Sequence, residues 1–397
     1  MFLLGNNKDK FGFYQVGDRR TYSKMEAIDL HQHTGTHPHW NFNEEFFSSY
    51  DWTVEPTEDL ETLYARRAQQ IRDTYDYIVL AYSGGIDSQN ILDSFVNNNI
   101  KIDEVLTYST YESHKDPDHC DVAELINVAW PKLKQLQDQG VEFKHRYIDL
   151  TDRVLAVLQN PEFKLDRAYY AATNFGSIHL SMTDLRSNEP DYARILESDK
   201  KLVFVWGSDK PRIYYENGRY CLKFIDFTDS GVRARTQMLN RENEYDELFY
   251  WSPESVDMIC KQGHVLKNFF KRCYKFETSE PDNLINIGAP VKPWVNEQRG
   301  YLDLPDELQH LHNFSPLELV NWLIYKDHNP ATLFSVGKPK SRLLSTREIA
   351  FNSDESVGLH TRYLVEKIKS IDTYWWTTAD NVYGGVKNCV SPGYYLE

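Results

Sequence analysis

Six residues at positions 83–88 have the types and the spacing that phosphate binding requires. They read Ser-Gly-Gly-Ile-Asp-Ser and follow a short apolar run at 77–82. Adjacent glycines can adopt positive φ angles and let the backbone approach a ligand, so that successive N–H groups can surround an anion. The serine hydroxyls of Ser83 and Ser88 add donors. These residue types predict a phosphate-binding loop between a strand and a helix.

The acidic residue of this segment, Asp87, indicates a metal ion beside the phosphates. A carboxylate repels phosphate oxygens, whereas Mg²⁺ can join the two because both are its usual ligands. The segment matches neither G-x-x-x-x-G-K-[ST] nor G-x-G-x-x-G. At ordinary residue frequencies S-G-G-x-D-S arises by chance about once in a million windows. The alternative is a serine-glycine turn in which Asp87 only supports the start of a helix.

A second group of polar residues follows a later apolar run at 202–206. Its members are Gly207, Ser208, Asp209, Lys210 and Arg212. If both apolar runs are parallel strands, their carboxyl ends share one edge of the sheet and the two groups lie close together. Lys210 and Arg212 could then neutralise charge that builds on a leaving group. The alternative is a strand-ending turn with solvated charges.

Other candidate ligands are weaker. Four histidines lie at 31–39, but Gly35 and Pro38 predict an irregular loop without a carboxylate or cysteine at ligand spacing, so we expect no metal there. The cysteines never form C-x-x-C, which argues against a disulfide framework or a cysteine-rich metal site. We also expect solvated or structural roles for five basic residues. These are His264, Lys267, Lys338, Lys340 and Arg342.

Strand and helix patterns alternate from residue 57 to residue 230. Helical spacing predicts a helix that Thr57 caps and that ends near Tyr75, and the apolar run at 77–82 is typical of a strand buried on both faces. Further strands are predicted at 104–109, 141–148 and 202–206, with helices at 88–96, 122–137, 152–158 and 168–185. We expect Pro131 to kink or split the helix at 122–137. The alternation predicts an α/β fold with a parallel sheet.

The flanking segments have different patterns. Turn signals at 5–7 and 17–18 predict a small β-hairpin extension over residues 1–56. Residues 213–224 predict another hairpin, and Ser252 with Pro253 predicts a helix start. The rest of 231–397 mixes short helices with aromatic loops. We therefore expect three domains, at 1–56, 57–230 and 231–397, the last mostly helical.

Composition restricts the classes of function. The chain has 397 residues, of which 41% are hydrophobic, enough for a sizeable core. Its 44 Lys and Arg against 59 Asp and Glu give a net charge of -15, which argues against a broad nucleic-acid surface but allows a narrow groove for a single strand. The sequence shows neither an apolar run long enough to span a membrane nor a signal-peptide pattern. We expect a cytoplasmic protein that does not bind membranes.

The loop at 83–88 resembles the hallmark of the PP-loop ATP pyrophosphatase superfamily. There, S-G-G-x-D-S follows the first strand of a parallel-sheet, adenine nucleotide alpha-hydrolase-like fold of the HUP type. The superfamily includes asparagine, argininosuccinate, GMP and NAD synthetases and RNA-thiolating enzymes. The resemblance covers about residues 57–230. Stretches at 14–17, 39–42, 63–68 and 249–253 are also similar to asparagine-synthetase-like PP-loop proteins of tailed bacteriophages, which would place the protein in the host cytoplasm.

The resemblance implies ATP and Mg²⁺ as cofactors and a role for each matching residue. A substrate oxygen attacks the α-phosphorus of ATP, pyrophosphate leaves, and a nucleophile then displaces AMP. The implied pyrophosphate ligands are Ser83, Gly84, Gly85 and Ser88; the metal ligands are Asp87 and Asp209; the adenosine contacts are Ala81, Tyr82, Thr107 and Tyr108. Gly207 belongs to the loop that carries Asp209, although the family's G-x-x-A-D-E pattern is not matched there. Lys210 and Arg212 would face the leaving pyrophosphate.

The function that this implies is an adenylating ligase of the asparagine-synthetase type. It would act on a carboxylate or amide oxygen of a small molecule. Phe2 follows Met1 where a glutaminase has cysteine, and about eighty residues precede the loop, so we expect ammonia, an amine or a partner to supply nitrogen. One alternative is a nucleobase-modifying or sulfur-transfer PP-loop enzyme, which commonly needs paired cysteines or a basic appendage. Another is a non-catalytic adenine-nucleotide-binding module.

Overall fold

A computed structural model gives the fold over residues 8–22, 24–109, 125–149, 189–207, 210–224, 242–275, 285–286, 301–313, 316–325, 382–383, 386–387 and 391–397. The strands in chain order are β1 (Phe13–Val16), β2 (Arg19–Thr21), β3 (His39–Asn41), β4 (Tyr77–Ala81), β5 (Glu104–Ser109), β6 (Lys144–Asp149), β7 (Leu202–Trp206), β8 (Arg212–Glu216), β9 (Arg219–Lys223), β10 (Glu244–Leu248), β11 (Tyr274–Lys275), β12 (Ile285–Asn286), β13 (Tyr301–Leu302), β14 (Val382–Tyr383), β15 (Val386–Lys387) and β16 (Tyr394–Tyr395). The α-helices are α1 (Lys24–Thr34), α2 (Glu44–Ser49), α3 (Leu60–Thr74), α4 (Ile86–Val96), α5 (Trp130–Asp138), α6 (Pro190–Glu197), α7 (Val256–Cys273) and α8 (Pro316–Ile324). Short 3₁₀ helices lie at Lys8–Phe11, Pro253–Ser255 and Asp306–Asn313, and a π-helix lies at Leu125–Ala129.

A five-stranded sheet in the order β10-β7-β4-β5-β6 organises these elements. All four strand pairs are parallel, which confirms the predicted α/β class. The central strands β4 and β7 are almost entirely buried, as their continuous apolar runs predict. Counted in chain order within the sheet, the strands lie 3-2-1-4-5, an order compatible with a Rossmann-like fold.

The strand order creates a crevice at the carboxyl edge between β4 and β7. From β4 the chain builds the sheet outward through β5 and β6, then returns to the other side of β4 to form β7 and β10. Connections after β4 and β7 therefore diverge, and ligands bind at such a switch point in open α/β sheets. The last residues of the two strands, Ala81 and Trp206, are register partners. Both predicted polar groups therefore leave the sheet side by side.

Several local predictions are confirmed and others need correction. Helix α3 begins at Leu60, and its cap is Asp59, which accepts a hydrogen bond from the Thr62 amide at 2.8 Å; the prediction of Thr57 as the cap was wrong. Asp59 fits the N-cap role because its carboxylate reaches the N3 amide. At Pro131 the predicted division occurs, since a π-helix ends at Ala129 and α5 follows. The helices predicted at 152–158 and 168–185 lie outside the described residues.

The hairpin of β8 and β9 was also predicted correctly. The strands pair antiparallel, and the connecting residues Asn217 and Gly218 have φ angles of 51° and 74°. Two consecutive positive φ angles define a type I′ turn, for which asparagine followed by glycine is the preferred sequence. The hairpin begins two residues after Lys210 and carries Arg212 on its first strand. It therefore starts directly at the crevice.

The edge strand β10 lies beyond residue 230, where the α/β domain was predicted to end. It carries Glu244, Asp246 and Glu247 and so lacks an apolar run, but all three residues are buried, and Asp246 accepts from Trp206 Nε1 at 2.7 Å. Glu247 accepts from Lys10 Nζ at 2.6 Å and from Arg67 Nη2 at 2.7 Å. The contact of Lys10 attaches the N-terminal segment to the sheet, and the contact of Arg67 attaches α3. The sheet thus extends past the predicted boundary, and the division into three domains stays a prediction.

The N-terminal segment forms a small antiparallel sheet in the order β2-β1-β3. Its β1–β2 turn at Gly17 was predicted, whereas the turn at 5–7 lies outside the described residues. Part of the histidine segment is helical, contrary to the prediction of a loop, because α1 continues to Thr34. Gly35 ends this helix with a φ of 72°, and its amide donates to the carbonyl of His31 at 2.7 Å. Glycine is the usual residue for this left-handed helix cap.

The C-terminal elements pack onto the same core. Helix α7 contacts α3 and α8, and β16 pairs with β9. Gly263 in α7 allows close packing, because a Cβ there would lie 2.7 Å from Leu222 Cδ1. None of the described helices is both long and apolar enough to cross a membrane.

Candidate functional site

The loop at 83–88 is held in a tight turn by its own serines. Ser83 Oγ accepts from the Gly85 amide at 3.1 Å, and Ser88 Oγ donates to the Gly85 carbonyl at 2.9 Å. The Ser83 amide in turn donates to Ser88 Oγ at 3.3 Å. Gly84 has a φ of 86°, a conformation that other residues rarely adopt. The glycines and serines of the motif therefore set the shape of the loop.

The loop leads directly into the N-terminus of α4. Helical bonding begins with the Gln89 amide, which donates to the Gly85 carbonyl at 2.9 Å. The preceding amides of a helix have no intrahelical partner. Within the described residues, the backbone amides of Ile86 and Asp87 donate to no backbone carbonyl. Because the helix dipole is positive at this end, the loop is suited to an anion such as phosphate.

Asp87 connects this loop with the group that follows β7. Lys210 Nζ lies 2.9 Å from Asp87 Oδ1, and Lys210 is only 5% exposed. Gly207 lies directly against the loop, since a Cβ on Gly207 would come within 3.0 Å of the Ser88 amide nitrogen. The structure therefore brings together the two groups that the sequence predicts, and it does so through Asp87, Lys210 and Gly207.

Two tyrosines that the sequence analysis did not identify complete the surroundings of Asp87. The Tyr325 hydroxyl donates to Asp87 Oδ1 at 2.5 Å, and the Tyr250 hydroxyl donates to the Asp87 carbonyl at 2.9 Å. Asn90 Nδ2 donates to the Tyr250 oxygen at 2.9 Å. Tyr250 follows β10 and Tyr325 follows α8. With 26 tyrosines in the chain, residue type alone could not single them out.

Both tyrosines remain hydrogen-bond donors over the physiological pH range. Burial raises the pKa of Tyr325 well above its usual value, and the nearby Asp87 carboxylate raises it further. Burial and Asp87 likewise raise the pKa of Tyr250. A phenolate beside a carboxylate would be repelled in such a buried place. The oxygen atoms of Asp87 therefore face two permanent donors from the tyrosines and one ammonium group.

The side chains of the site could coordinate a magnesium ion only together with phosphates. Within the described ranges, no cluster of three or more His, Cys, Asp or Glu side chains could hold a metal ion. Asp87 Oδ1 is occupied by Lys210 and Tyr325, and Oδ2 has no partner among the described residues. Mg²⁺ is commonly bound by one or two carboxylates, with phosphates and water completing the shell. Asp209, the second predicted ligand, lies outside the described residues.

The side chains predicted to contact adenosine mostly form hydrogen bonds with other residues of the protein. The Tyr82 hydroxyl donates to Gln89 Oε1 at 2.5 Å. Thr107 is fully buried, and its hydroxyl lies 2.9 Å from His145 Nε2. Burial lowers the pKa of His145, so this pair is neutral at pH 7. A ligand at this edge would therefore meet backbone atoms near Ala81 and Tyr82, while the roles of Thr107 and Tyr108 stay predictions.

Two weaker candidates have structural contacts instead. His264 Nε2 lies 2.9 Å from the Trp52 carbonyl, and Lys267 Nζ donates to the Leu396 carbonyl at 2.9 Å. They connect α7 with the N-terminal and C-terminal segments. Arg212 is partly buried at the start of β8, and its contact with a leaving pyrophosphate stays a prediction. Ser208, Lys338, Lys340 and Arg342 lie outside the described residues.

The histidine segment forms pairs with other side chains. The rings of His31 and His37 stack with centroids 4.6 Å apart, and His39 Nε2 lies 2.7 Å from Glu44 Oε2. The segment packs in the N-terminal sheet region, and it contributes no contact to the Asp87 site among the described residues.

Comparisons with known proteins identified no family and no relative of this chain. A scan against models of protein families found no match, and a search of curated proteins found no significant match. The resemblance to the PP-loop superfamily therefore rests on the motif at 83–88, on the strand and helix pattern over 57–230, and on the stretches at 14–17, 39–42, 63–68 and 249–253.

Proposed function

We propose that the protein is an ATP pyrophosphatase that adenylates a carboxylate or amide oxygen of a small molecule. The observation that carries the proposal is the position of the glycine-serine loop at the switch point of a parallel sheet, with Lys210 on Asp87. ATP would place its phosphates against the amides at the start of α4, where the helix dipole stabilises negative charge. An assignment to the HUP type is part of the proposal, and the strand order supports it.

Lys210 is suited to the charge that develops on pyrophosphate. Its ammonium group has three N–H donors, so it can remain on Asp87 and still donate to a phosphate oxygen. The group is only 5% exposed, and a charge in a water-poor site interacts strongly with a ligand. Arg212, which lies on the adjoining strand, is proposed to add a second positive charge.

The proposed reaction has two steps, adenylation of the acceptor and displacement of AMP. The acceptor oxygen forms a bond to the α-phosphorus, and the bond from that phosphorus to the bridging oxygen breaks, so that pyrophosphate leaves with the electron pair. The nitrogen of ammonia or an amine then bonds to the activated carbon, AMP leaves with the acceptor oxygen, and the nitrogen loses a proton to solvent. Mg²⁺, when bound, would offset the charge of the phosphates.

Mass spectrometry of a metabolite extract tests the proposed ligase activity. The extract is incubated with ATP, Mg²⁺ and ammonium, with and without the protein. We expect one carboxylate to be consumed and its amide to appear, together with AMP. Changes confined to added nucleosides would instead indicate the nucleobase-modifying alternative. ATP binding without any consumed metabolite would favour the non-catalytic module.

The close contact of Gly207 predicts that Gly207→Ala weakens nucleotide binding. The added Cβ would lie 3.0 Å from the Ser88 amide nitrogen, so the backbone at Gly207 or at Ser88 must shift slightly. A misplacement of about 1 Å can cost about 100-fold in rate, and for this smaller shift we expect the dissociation constant of α,β-methylene-ATP to rise about tenfold. Isothermal titration calorimetry measures it.

Gly140→Ala is the matched control for Gly207→Ala. Its backbone has a strained φ of 87°, but a Cβ there meets nothing within 4 Å. We expect lower stability without a change in nucleotide affinity. Wild-type affinity in the Gly207 variant would contradict the proposed contact between the two loops.

A further inference from the structure

Through its hydroxyl group, Tyr325 joins the C-terminal part of the chain to the loop at 83–88 and the start of α4. The residue follows α8, and it lies 238 positions from Asp87 in the chain. Its amide donates to the Asn321 carbonyl at 2.8 Å, which continues the helical bonding of α8. The neighbouring carbonyl of Ile324 accepts from the Tyr64 hydroxyl at 2.9 Å, so α8 is fixed against α3. The backbone of Tyr325 therefore continues α8, which is hydrogen-bonded to α3.

Two donors meet on one oxygen of Asp87. Tyr325 and Lys210 both donate to Oδ1, and Lys210 Nζ also lies 5.3 Å from the centre of the Tyr325 ring. A carboxylate that is fixed through one oxygen cannot rotate freely about its terminal bond. Its second oxygen, Oδ2, is then held in a constant position and has no partner among the described residues.

From this geometry we infer that Tyr325 is a positioning residue for the nucleotide site. It orients the Asp87 carboxylate so that Oδ2 is presented to the metal ion that accompanies ATP, and it keeps Lys210 beside the phosphates. The inference rests on the proposed function. It assigns to α8 of the C-terminal lobe a part in nucleotide binding that neither the motif at 83–88 nor the sheet supplies.

Tyr325→Phe tests this role, because it removes the hydroxyl and leaves the ring. The measurement is Mn²⁺ binding in the presence of α,β-methylene-ATP, followed by electron paramagnetic resonance. Loss of a residue that orients a metal ligand typically weakens metal binding about 10- to 100-fold, and we expect an effect in that range. Thermal unfolding of each variant shows whether it is folded.

Tyr192→Phe is the matched control. Tyr192 is also buried, and its hydroxyl also donates to a carboxylate, that of Glu104 at 2.6 Å, but at the amino edge of the sheet. We expect this variant to lose a similar amount of thermal stability and to bind Mn²⁺ as the wild type does. A purely structural role of Tyr325 would make the two variants alike, which would overturn the inference.

A double-mutant cycle shows whether Tyr325 acts through Asp87. In an Asp87→Asn background, we expect Tyr325→Phe to cause no further loss of affinity for α,β-methylene-ATP. An undiminished loss in that background would overturn the inference while leaving the proposed function intact. If the wild-type protein binds neither Mn²⁺ nor the ATP analogue, the proposed function fails and the inference fails with it.

Discussion

Replacing Asp87 by asparagine is expected to lower ATP cleavage by about 100-fold or more, since loss of one preorganised electrostatic group commonly costs that much. The amide keeps an oxygen that can accept from Tyr325, so the local shape is preserved. It cannot offer a negative charge to a metal ion or to Lys210, which is only 5% exposed. Initial rates at saturating Mg²⁺ and ATP measure the effect.

The stability of the Asp87 variant must be measured beside its rate. Lys210 loses its ionised partner, and a hydrogen bond to a charged group contributes about 1.5–3 kcal/mol. Urea unfolding shows whether the variant is folded under the assay conditions. Asp73→Asn removes the same charge from an exposed position on α3 and is the control. A folded Asp87 variant with the wild-type rate would contradict the role given to this carboxylate.

Glu247→Gln is expected to destabilise the protein by about 3–5 kcal/mol at pH 7, because it removes one partner from a buried ion network. Glu247 accepts from Lys10 at 2.6 Å and from Arg67 at 2.7 Å, and both cations are less than 5% exposed. The Tyr75 hydroxyl donates to the same carboxylate at 2.5 Å. With glutamine, two buried positive charges would remain without a counter-charge.

The effect of Glu247→Gln should depend on pH. Burial alone would raise the pKa of Glu247, but Lys10 and Arg67 lower it to about 2 from the ordinary 4.5. A carboxylate with a lowered pKa stabilises the folded state above its unfolded pKa, and this contribution is lost as the pH falls. The difference in free energy of unfolding between wild type and variant should therefore shrink between pH 4.5 and pH 2.

Denaturant unfolding at several pH values measures this difference. Glu142→Gln is the control, because Glu142 is exposed and exposed charges contribute about 0–1 kcal/mol. A constant difference across the acid range, or no difference at pH 7, would show that the network around Glu247 does not attach the N-terminal segment to the sheet.

The parts of the site that could be predicted from sequence are those with local causes. The turn at 83–88 depends on its own glycines and serines, and β4 is recognisable from its apolar run. The approach of Lys210 to Asp87 followed from one rule, that parallel strands end at a common edge. Asp59 rather than Thr57 caps α3, because two candidates for a cap that lie two positions apart differ only in how the chain enters the helix.

The parts that escaped prediction depend on contacts distant in the chain. Strand β10 has charged residues instead of an apolar run, and the partners that neutralise Glu247 lie 180 and 237 positions away. Tyr325 reaches Asp87 across 238 positions. A hydroxyl group that only a folded structure brings to a carboxylate gives no pattern in the sequence. The hypothesis of a mostly helical lobe consequently left out the residues by which that lobe reaches the site.

The most direct test of the proposed function identifies the products of ATP labelled at the α- or γ-phosphate. The protein is incubated with Mg²⁺, the labelled ATP and the fraction of metabolite extract that supports turnover, and the nucleotides are separated by chromatography. We expect the α-label in AMP and the γ-label in pyrophosphate, both dependent on Asp87. The α-label in ADP and the γ-label in orthophosphate would contradict attack at the α-phosphorus.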